Sequence, residues 1–375
     1  MEIFLPNPFL IAGYHSPSYF CDREKETQKL IEALTNNRNV TLISPRRMGK
    51  TGIIHHLFYK LNEQNRDVNC FYLDIFPTQN LNDFVNLLGK TVIGKLDDFS
   101  ERVVKNISAL FKSIRPSFTF DPVTGEPSIS LHIQPHETEK SLQEIFDYLK
   151  RSQKEIFLAI DEFQQITEYP EKGVEALLRS YIQFLPNVHF IFAGSKIHLM
   201  NEMFSSAHRP FYQSTQKMGL KELPLETYRD FAVNLFACYN KKLENYVFDY
   251  VYEKMFGHTW YIQLILNHLF TLNEQNYTEQ HVNEILNNIL EEENATYKTY
   301  CEMITKGQLR LLKAIASERK VAEPFEQGFM KRYHLSAASS VRLALQSLVD
   351  KTLIIKNDDG LYHVYDRFFS LWLEK

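Results

Sequence analysis

At 375 residues the chain is long enough for two or three domains, and its 44% hydrophobic residues are sufficient for ordinary cores. Its formal net charge of −4 excludes a nucleic-acid signature spread over the whole surface. Four cysteines, Cys21, Cys70, Cys238 and Cys301, are far apart and lack the spacing of a metal site, so we expect reduced thiols in a cytoplasmic protein. No apolar run is long enough to cross a bilayer.

Residues 40–43 begin the most informative pattern in the chain. They are apolar and β-branched, which predicts a buried parallel strand. Residues 44–51 then match the phosphate-binding pattern G-x-x-x-x-G-K-[ST], with Ser44 in place of the first glycine. Residues 50–61 predict a helix. Strand, loop and helix therefore follow the order of a phosphate-binding loop, although a plain loop between a core strand and a core helix is the alternative.

This loop carries groups suited to the phosphates of ATP. Backbone N–H groups of residues 47–50 can surround an anion at a helix N-terminus, where the helix dipole favours negative charge. Lys50 can reach the β- and γ-phosphates, and the Thr51 hydroxyl can ligate Mg²⁺. Ser44 fits the pattern if its φ is negative, and Pro45 favours an extended conformation there. The residues expected to contact the nucleotide are Ser44, Pro45, Arg46, Arg47, Met48, Gly49, Lys50, Thr51 and Gly52.

Ahead of this loop, residues 22–34 predict a helix with its apolar positions on one face. Tyr19 and Phe20, together with Asp22 and Arg23, can line the adenine side of a nucleotide site. A helix that Asp22 caps, with acidic residues in its first turn, accounts for the same sequence equally well.

A second buried strand is predicted for residues 155–160, and it ends in two carboxylates, Asp161 and Glu162. Carboxylates at the C-terminal edge of a parallel strand lie where α/β sheets bind their ligands. We expect Asp161 to hold Mg²⁺ and Glu162 to orient and deprotonate the attacking water. A structural Asp-Glu pair at the start of a helix is the alternative.

Ser195 and Arg209 are further candidates for catalysis. Ser195 follows the predicted strand 188–194, where it can sense the γ-phosphate, hold the water, or simply begin a turn. Arg209 can supply a cation to the γ-phosphate, in its own chain or from a neighbouring subunit, or can be an ordinary surface arginine.

The remaining patterns define the surroundings of this core. Alternating apolar residues at about 115–135 predict an inserted β-hairpin. Residues 227–293 predict only helices and form a candidate lid. Three further helices at 307–316, 324–333 and 337–349, followed by a hairpin with its turn at 357–360, predict a winged helix-turn-helix. Residues 301–375 carry 12 Lys and Arg against 9 Asp and Glu, which is a mild basic surplus.

Four motifs together resemble the prokaryotic AAA-type P-loop ATPases of the STAND and archaeal-ATPase kind, which are similar to origin-recognition ATPases in layout. The motifs are Ser44-Pro-Arg-Arg-Met-Gly-Lys-Thr, Ile160-Asp-Glu-Phe, His208-Arg-Pro-Phe-Tyr and Tyr365-Asp-Arg-Phe-Phe-Ser-Leu-Trp-Leu. The resemblance implies the α/β class: a P-loop core over residues 1–222 with a parallel sheet of order 5-1-4-3-2, a helical lid at 223–300 and a winged helix at 301–375. It also implies that Asp22 and Arg23 lie close to the nucleotide. The segment Gly257-His-Thr-Trp departs from the family because it lacks the usual lid proline.

Three functions are open at this point. The first is a switch that hydrolyses ATP slowly and couples its nucleotide state to the position of the winged helix; Glu162 favours it, because a protein that only binds ATP needs no base there. The second is a DNA-binding protein with a structural ATP. The third is a signalling scaffold that binds proteins or itself. The predicted helix at 337–349 offers one cation, Arg342, where a major-groove helix usually offers more, and Lys331 and Arg332 compensate only in part.

Overall fold

The computed structural model describes residues 5–64, 67–93, 111–120, 127–272, 274–357 and 359–375. The chain divides into two compact units. The first, which we call the core unit, contains residues 12–223. The second, the C-terminal unit, contains residues 224–375 together with the N-terminal residues up to Ile11. Within the described ranges no helix combines the length and the apolar character that a membrane span requires.

The core unit alternates helices and strands in the manner of an α/β fold. Its helices are α1 (Glu24–Thr35), α2 (Lys50–Glu63), α3 (Leu81–Val92), α4 (Thr138–Lys150), α5 (Val174–Ile182) and α6 (Ile197–Ser205). Its strands are β1 (Val40–Ile43), β2 (Val68–Asp74), β3 (Ile114–Phe120), β4 (Pro127–Ile133), β5 (Glu155–Asp161), β6 (Val188–Gly194) and β7 (Gln216–Gly219).

Five of these strands form one parallel sheet in the order β2-β5-β6-β1-β7. The two hairpin strands interrupt the numbering along the chain. Counted among the five strands of this sheet alone, the order reads 5-1-4-3-2, as the resemblance implied. The C-terminal ends of β1, β5 and β6 therefore meet at one edge of the sheet, which is where parallel sheets place their ligand sites.

Both faces of the sheet are covered, which is why its central strands are continuously apolar. Ile156, Leu158 and Ile160 of β5 point into one hydrophobic core, whereas Phe157 and Ala159 point into the other. This period of two is the normal alternation of a strand. The sheet is thereby held rigidly between two packed helical layers, and the loops at its C-terminal edge have a fixed base.

The predicted hairpin insertion is present as β3 and β4, an antiparallel pair that forms a sheet of its own. Its turn, residues 121–126, lies outside the described residues. Ile114 and Leu131 are buried in one of the two cores, so the base of the hairpin packs against the sheet unit and does not only project from it.

The described residues of the C-terminal unit are helical apart from one hairpin and the connecting loops. Its elements are α7 (Leu225–Cys238), α8 (Asn245–Lys254), α9 (Thr259–Thr271), α10 (Glu279–Glu292), α11 (Asn294–Glu302), α12 (Lys306–Glu318), α13 (Gln327–Arg332), α14 (Ala338–Asp350), β8 (Ile354–Lys356), β9 (Tyr362–Val364) and α15 (Arg367–Leu373). The helices α12, α13 and α14 followed by the β8–β9 hairpin have the layout of a winged helix. In the predicted hairpin turn, Gly360 has a φ of 82°, while Asp358 lies outside the described residues.

The N-terminal residues correct the expected core boundary of 1–222. Phe9 is fully buried against Phe236 and Phe270, with ring centroids 5.0 and 5.9 Å away. The Asn267 side chain donates to the Phe9 carbonyl at 2.8 Å, and the Asn7 side chain donates to the Asn267 carbonyl at 3.0 Å. The segment up to Ile11 is therefore part of the helical C-terminal unit, because that is where its apolar and polar groups find partners.

The aromatic C-terminal tail binds the winged helix to the preceding helices of the same unit. The Arg367 guanidinium is 4% exposed, donates to the Lys254 carbonyl at 2.7 Å and lies 4.0 Å from the centroid of the Phe256 ring. Phe368 packs edge-on against Tyr261, with a centroid distance of 4.8 Å. The lid helices and the winged helix thus share one packed body.

His363 in β9 gives the C-terminal unit an expected sensitivity to acid. Burial, with a smaller contribution from the charge of Lys320, lowers the pKa of His363 from 6.5 to about 4. Between these two pH values His363 binds a proton in the unfolded chain but not in the folded chain. The contribution of His363 to the free energy of unfolding is therefore at its maximum above pH 6.5 and falls by roughly 3 kcal/mol towards pH 4. Urea unfolding at pH 7 and pH 4.5 measures this loss. His363→Gln should remove most of it, and an unchanged loss in that variant would assign the sensitivity to other groups.

Candidate functional site

The loop between β1 and α2 closes around Lys50. Its ammonium group is buried, and it donates to the carbonyl oxygens of Ser44 at 2.9 Å and Pro45 at 3.0 Å. These two carbonyl oxygens accept hydrogen bonds from the buried cation. Ser44 is 2% exposed and is not among the residues with positive φ, so serine meets the condition for replacing the first glycine of the pattern.

The backbone of this loop turns twice through the left-handed region. Arg47 has a φ of 65° and Gly49 a φ of 94°. Such turns aim successive N–H groups into a concave surface that binds anions. The helix α2 begins at Lys50 with no side-chain hydrogen bond at its N-cap, so its first N–H groups have no capping side chain. Loop and helix end together form an arrangement suited to phosphate.

Asp161 links this loop to the end of β5. Its carboxylate oxygen Oδ2 accepts hydrogen bonds from the Thr51 hydroxyl at 3.0 Å and from the Tyr72 hydroxyl at 2.7 Å. Its other oxygen, Oδ1, accepts from the backbone N–H of Glu162 at 2.9 Å. The structure thus brings Thr51 and Asp161 together as the sequence predicted. Tyr72 was missed, because a tyrosine inside a strand pattern gives no sign of the partner across the sheet.

Glu162 follows at the sheet edge with a φ of 54°, in the left-handed region that non-glycine residues rarely adopt. Its carboxylate oxygen Oε2 accepts hydrogen bonds from the Ser195 hydroxyl at 2.7 Å and from the side-chain amide of Gln164. Glu162 and Ser195, which were predicted as separate candidates for catalysis, are therefore in direct contact. Gln164 was not predicted, because the motif identifies only the two carboxylates that precede it.

The charges at this edge act on one another. Burial lowers the pKa of the Lys50 ammonium, and the carboxylates of Asp161 and Glu162 oppose that shift. Burial also raises the pKa of Asp74, which lies opposite Asp161 in the β2–β5 register, and the two neighbouring carboxylates raise it further. A buried cation thus lies close to several carboxylates, which is the electrostatic setting of a phosphate and metal site.

The site suits Mg²⁺ by its donor chemistry. Mg²⁺ takes oxygen ligands, and it is usually held by one or two carboxylates together with substrate phosphates and water. The adjacent oxygens of Thr51 and Asp161 are such donors, and Asp161 is only 4% exposed. In the ranges that the structure covers, no group of three or more His, Cys, Asp or Glu side chains could hold a metal alone. A metal here would therefore depend on the phosphates of a bound nucleotide.

Arg23 was expected to lie close to the nucleotide, but its side chain binds groups of the protein itself. Its side chain is buried and donates to the Lys221 carbonyl at 2.7 Å and to Glu26 at 3.0 Å. The helix α1 begins at Glu24, with Arg23 and not Asp22 at the N-cap, so the capping alternative for Asp22 is wrong. A hydrogen bond between the side chains of Glu24 and Asp22 raises the pKa of Glu24.

Phe20 lies against the phosphate-loop helix. A Cβ atom added at Gly52 would come within 3.0 Å of the Phe20 ring, and the ring stacks on His56 with centroids 4.6 Å apart. The lead-in to α1 is therefore held beside the N-terminal turn of α2, and Gly52 is the residue that allows the close approach.

Arg209 is engaged in ion pairs. Its guanidinium lies 2.6 Å from the Glu175 carboxylate and 3.6 Å from that of Glu202. Burial raises the pKa of Glu175, and the charge of Arg209 opposes this shift. To reach a γ-phosphate, Arg209 would have to leave both carboxylates.

The fold and this site define an ATP-binding protein of the P-loop ATPase class. Residues 20–265 match the family described as an ATPase domain predominantly from Archaea, and the chain belongs to that family. Residues 295–375 match a probable winged helix domain. The archaeal-ATPase part of the predicted resemblance is confirmed, whereas the STAND label stays a prediction.

Relatives of the chain agree with this assignment. An uncharacterised ATP-binding protein of Methanocaldococcus jannaschii is 25% identical over 303 residues, which cover 75% of this chain and 76% of the relative. The Walker-type ATPase PABY2304 of Pyrococcus abyssi has a similar fold, with a TM-score of 0.66 at 18% identity, over 98% of this chain and 100% of the other. The ORC2 protein of Aeropyrum pernix gives a TM-score of 0.55 at 14% identity over 94% of each chain. The likeness to these two solved structures shows the fold alone.

Proposed function

We propose that this protein binds ATP with Mg²⁺ at the edge formed by β1, β5 and β6 and hydrolyses it slowly to ADP and phosphate. The observation that carries the proposal is the hydrogen-bonded connection from Thr51 to Asp161, with Glu162 held next to it by Ser195. A protein that only bound ATP would need the first part of this connection and not the second.

The loop residues 44–52 surround the phosphates through their N–H groups, and Lys50 exchanges its two carbonyl partners for phosphate oxygens. Thr51 and Asp161 would hold the metal, which would supply positive charge against the phosphates. Glu162 accepts the proton of the attacking water, and Ser195 keeps the Glu162 carboxylate in place. In this proposal Asp22 and Arg23, which precede α1, lie close to the nucleotide.

Arg209 is the second cation that we assign to the γ-phosphate, in its own chain or in trans. Its two carboxylate partners make this role conditional on a rearrangement that releases it. Slow turnover is the expected consequence, since Arg209 stays paired with Glu175 and Glu202 until that rearrangement occurs.

Release of phosphate by the purified protein tests the proposal. With ATP and Mg²⁺ we expect slow release at a rate proportional to protein concentration, and none above background when a chelator removes the metal. Release that is unaffected by the chelator would point to a contaminating activity and overturn the proposal.

We further propose that nucleotide shifts the C-terminal unit as one body. We keep the lid at 223–300, which falls in that unit from residue 224 onward, and the winged helix at 301–375, and the contacts of Arg367 and Phe368 support their movement together. The chain crosses between the two units at 11–12 and 223–224, so hinge motion belongs at these two junctions. ATP can shift the equilibrium only through its different affinity for the two arrangements.

Spin labels at Lys150 in the core unit and Lys351 in the C-terminal unit measure this movement, in a Cys238→Ser background because Cys238 is exposed. We expect the distance distribution to change when ATP is added. A control pair at Glu279 and Lys351, both in the C-terminal unit, should give the same distribution throughout. An identical distribution for the first pair with and without ATP would contradict the proposed movement and indicate a static scaffold.

The exposed face of α14 favours a protein partner for the winged helix over DNA. Leu343, at its middle, is 75% exposed, and the one cation of the helix, Arg342, lies 5.1 Å from the centroid of the Phe325 ring. A helix that entered a DNA groove would be expected to present more cations and amides. DNA is the alternative, and binding that weakens steeply with salt would identify it.

A further inference from the structure

Gln164 occupies a buried position beside the proposed base. It lies in the short 3₁₀ helix Phe163–Glu168 that follows β5, and it is 2% exposed. Its amide Nε2 donates to the Glu162 oxygen Oε2. An ionised carboxylate can only accept hydrogen bonds, so the orientation of the Gln164 amide is fixed by Glu162 itself.

The two donors to Glu162 converge on the same oxygen. Gln164 and Ser195 both donate to Oε2, and within the described part of the chain no donor reaches Oε1. One oxygen of the carboxylate is thereby anchored and the other is left to take a proton from water. Two donors from two different elements also define the orientation of the carboxylate better than Ser195 alone.

Gln164 holds this position at a cost to stability. Its carbonyl oxygen Oε1 is buried and has no hydrogen-bond partner within the described part of the chain. Gly194 at the end of β6 makes the room for it, because a Cβ atom there would lie 2.4 Å from that oxygen and 2.5 Å from the Met200 sulfur. A buried polar atom without a partner is unfavourable. An apolar side chain would fill this niche with less loss.

We propose that Gln164 is a positioning residue for ATP hydrolysis, which together with Ser195 orients the Glu162 carboxylate for proton transfer. This inference rests on the proposed hydrolysis at Glu162. It assigns a role to a residue outside the phosphate loop and the two carboxylates, and it explains why a glutamine is kept in an apolar niche.

The variant Gln164→Leu separates this role from a structural one. We expect kcat to fall about tenfold, in the range of coupling measured for contacting groups, while the affinity for ATP stays unchanged and the midpoint of thermal unfolding does not fall. Gln165→Leu is the matched control, because the side-chain amide of the neighbouring Gln165 donates to the Thr78 carbonyl and not to the Glu162 carboxylate. In a Glu162→Gln background, Gln164→Leu should cause no further loss of kcat.

Two results would overturn the inference: an equal fractional loss of kcat in both backgrounds, or a loss of kcat accompanied by lower unfolding temperature and weaker ATP binding. A readout that needs no turnover keeps the test independent of the proposed function. In a crystal structure of nucleotide-free Gln164→Leu, the Glu162 carboxylate should occupy a new position or more than one. An unmoved carboxylate rules out positioning by Gln164, whereas absence of phosphate release from the wild type rules out the hydrolysis proposal instead.

Discussion

Replacing Lys50 by alanine should lower the affinity for ATP by roughly 100-fold or more, the scale of losing charge-assisted hydrogen bonds to phosphate. Among the described residues of the phosphate loop, Lys50 is the one buried cation. Its ammonium group donates to the carbonyls of Ser44 and Pro45, and phosphate oxygens can replace these two acceptors. Calorimetric titration of MgATP into wild type and variant measures the loss.

A control for Lys50→Ala is available on the same helix. Lys60 is partly exposed and pairs with Glu63 at 3.0 Å, so Lys60→Ala should bind ATP as the wild type does. Unfolding curves must show that the Lys50 variant is folded. A folded Lys50→Ala protein with unchanged affinity would place the nucleotide elsewhere.

The substitution Glu162→Gln should leave ATP binding intact and reduce turnover by roughly 100-fold or more, the usual scale for losing a general base. The amide keeps the shape of the side chain and still accepts hydrogen bonds from Ser195 and Gln164, but it cannot take a proton. Phosphate release under saturating MgATP is the measurement.

Glu168→Gln is the matched control for Glu162→Gln. Glu168 lies in the same segment after β5, but it is exposed and pairs with Lys196 at 3.4 Å. We expect no effect on turnover from it. Equal rates for wild type and Glu162→Gln would mean that another group activates the water or that the activity is not this protein's own.

The sheet and its binding edge were predictable because their signals are local. Buried strands such as β5 are continuous apolar runs, and the loop 44–51 has a fixed spacing that its chemistry requires. The strand order came from the resemblance, since apolar runs do not tell which strands are neighbours. The closeness of Thr51 and Asp161 was predictable because their motifs assign both residues to the same metal.

The parts that sequence reasoning missed depend on contacts between distant residues. Nothing local indicates that Tyr72 donates to Asp161 across the sheet or that Phe9 is buried against Phe236. The ion-pair partners of Arg209 were not predictable for a related reason. Arginine is a residue type that binds phosphate, yet Arg209 forms an ion pair with Glu175. Tertiary packing places the two residues together.

A crystal structure with Mg²⁺ and a non-hydrolysable ATP analogue tests the central claim most directly. The account predicts the terminal phosphates at the loop 44–52, Lys50 released from the carbonyls of Ser44 and Pro45 to contact them, and the metal beside Thr51 and Asp161. An analogue bound at another place, or bound here with Lys50 still on its two carbonyls and no metal beside Asp161, would contradict it.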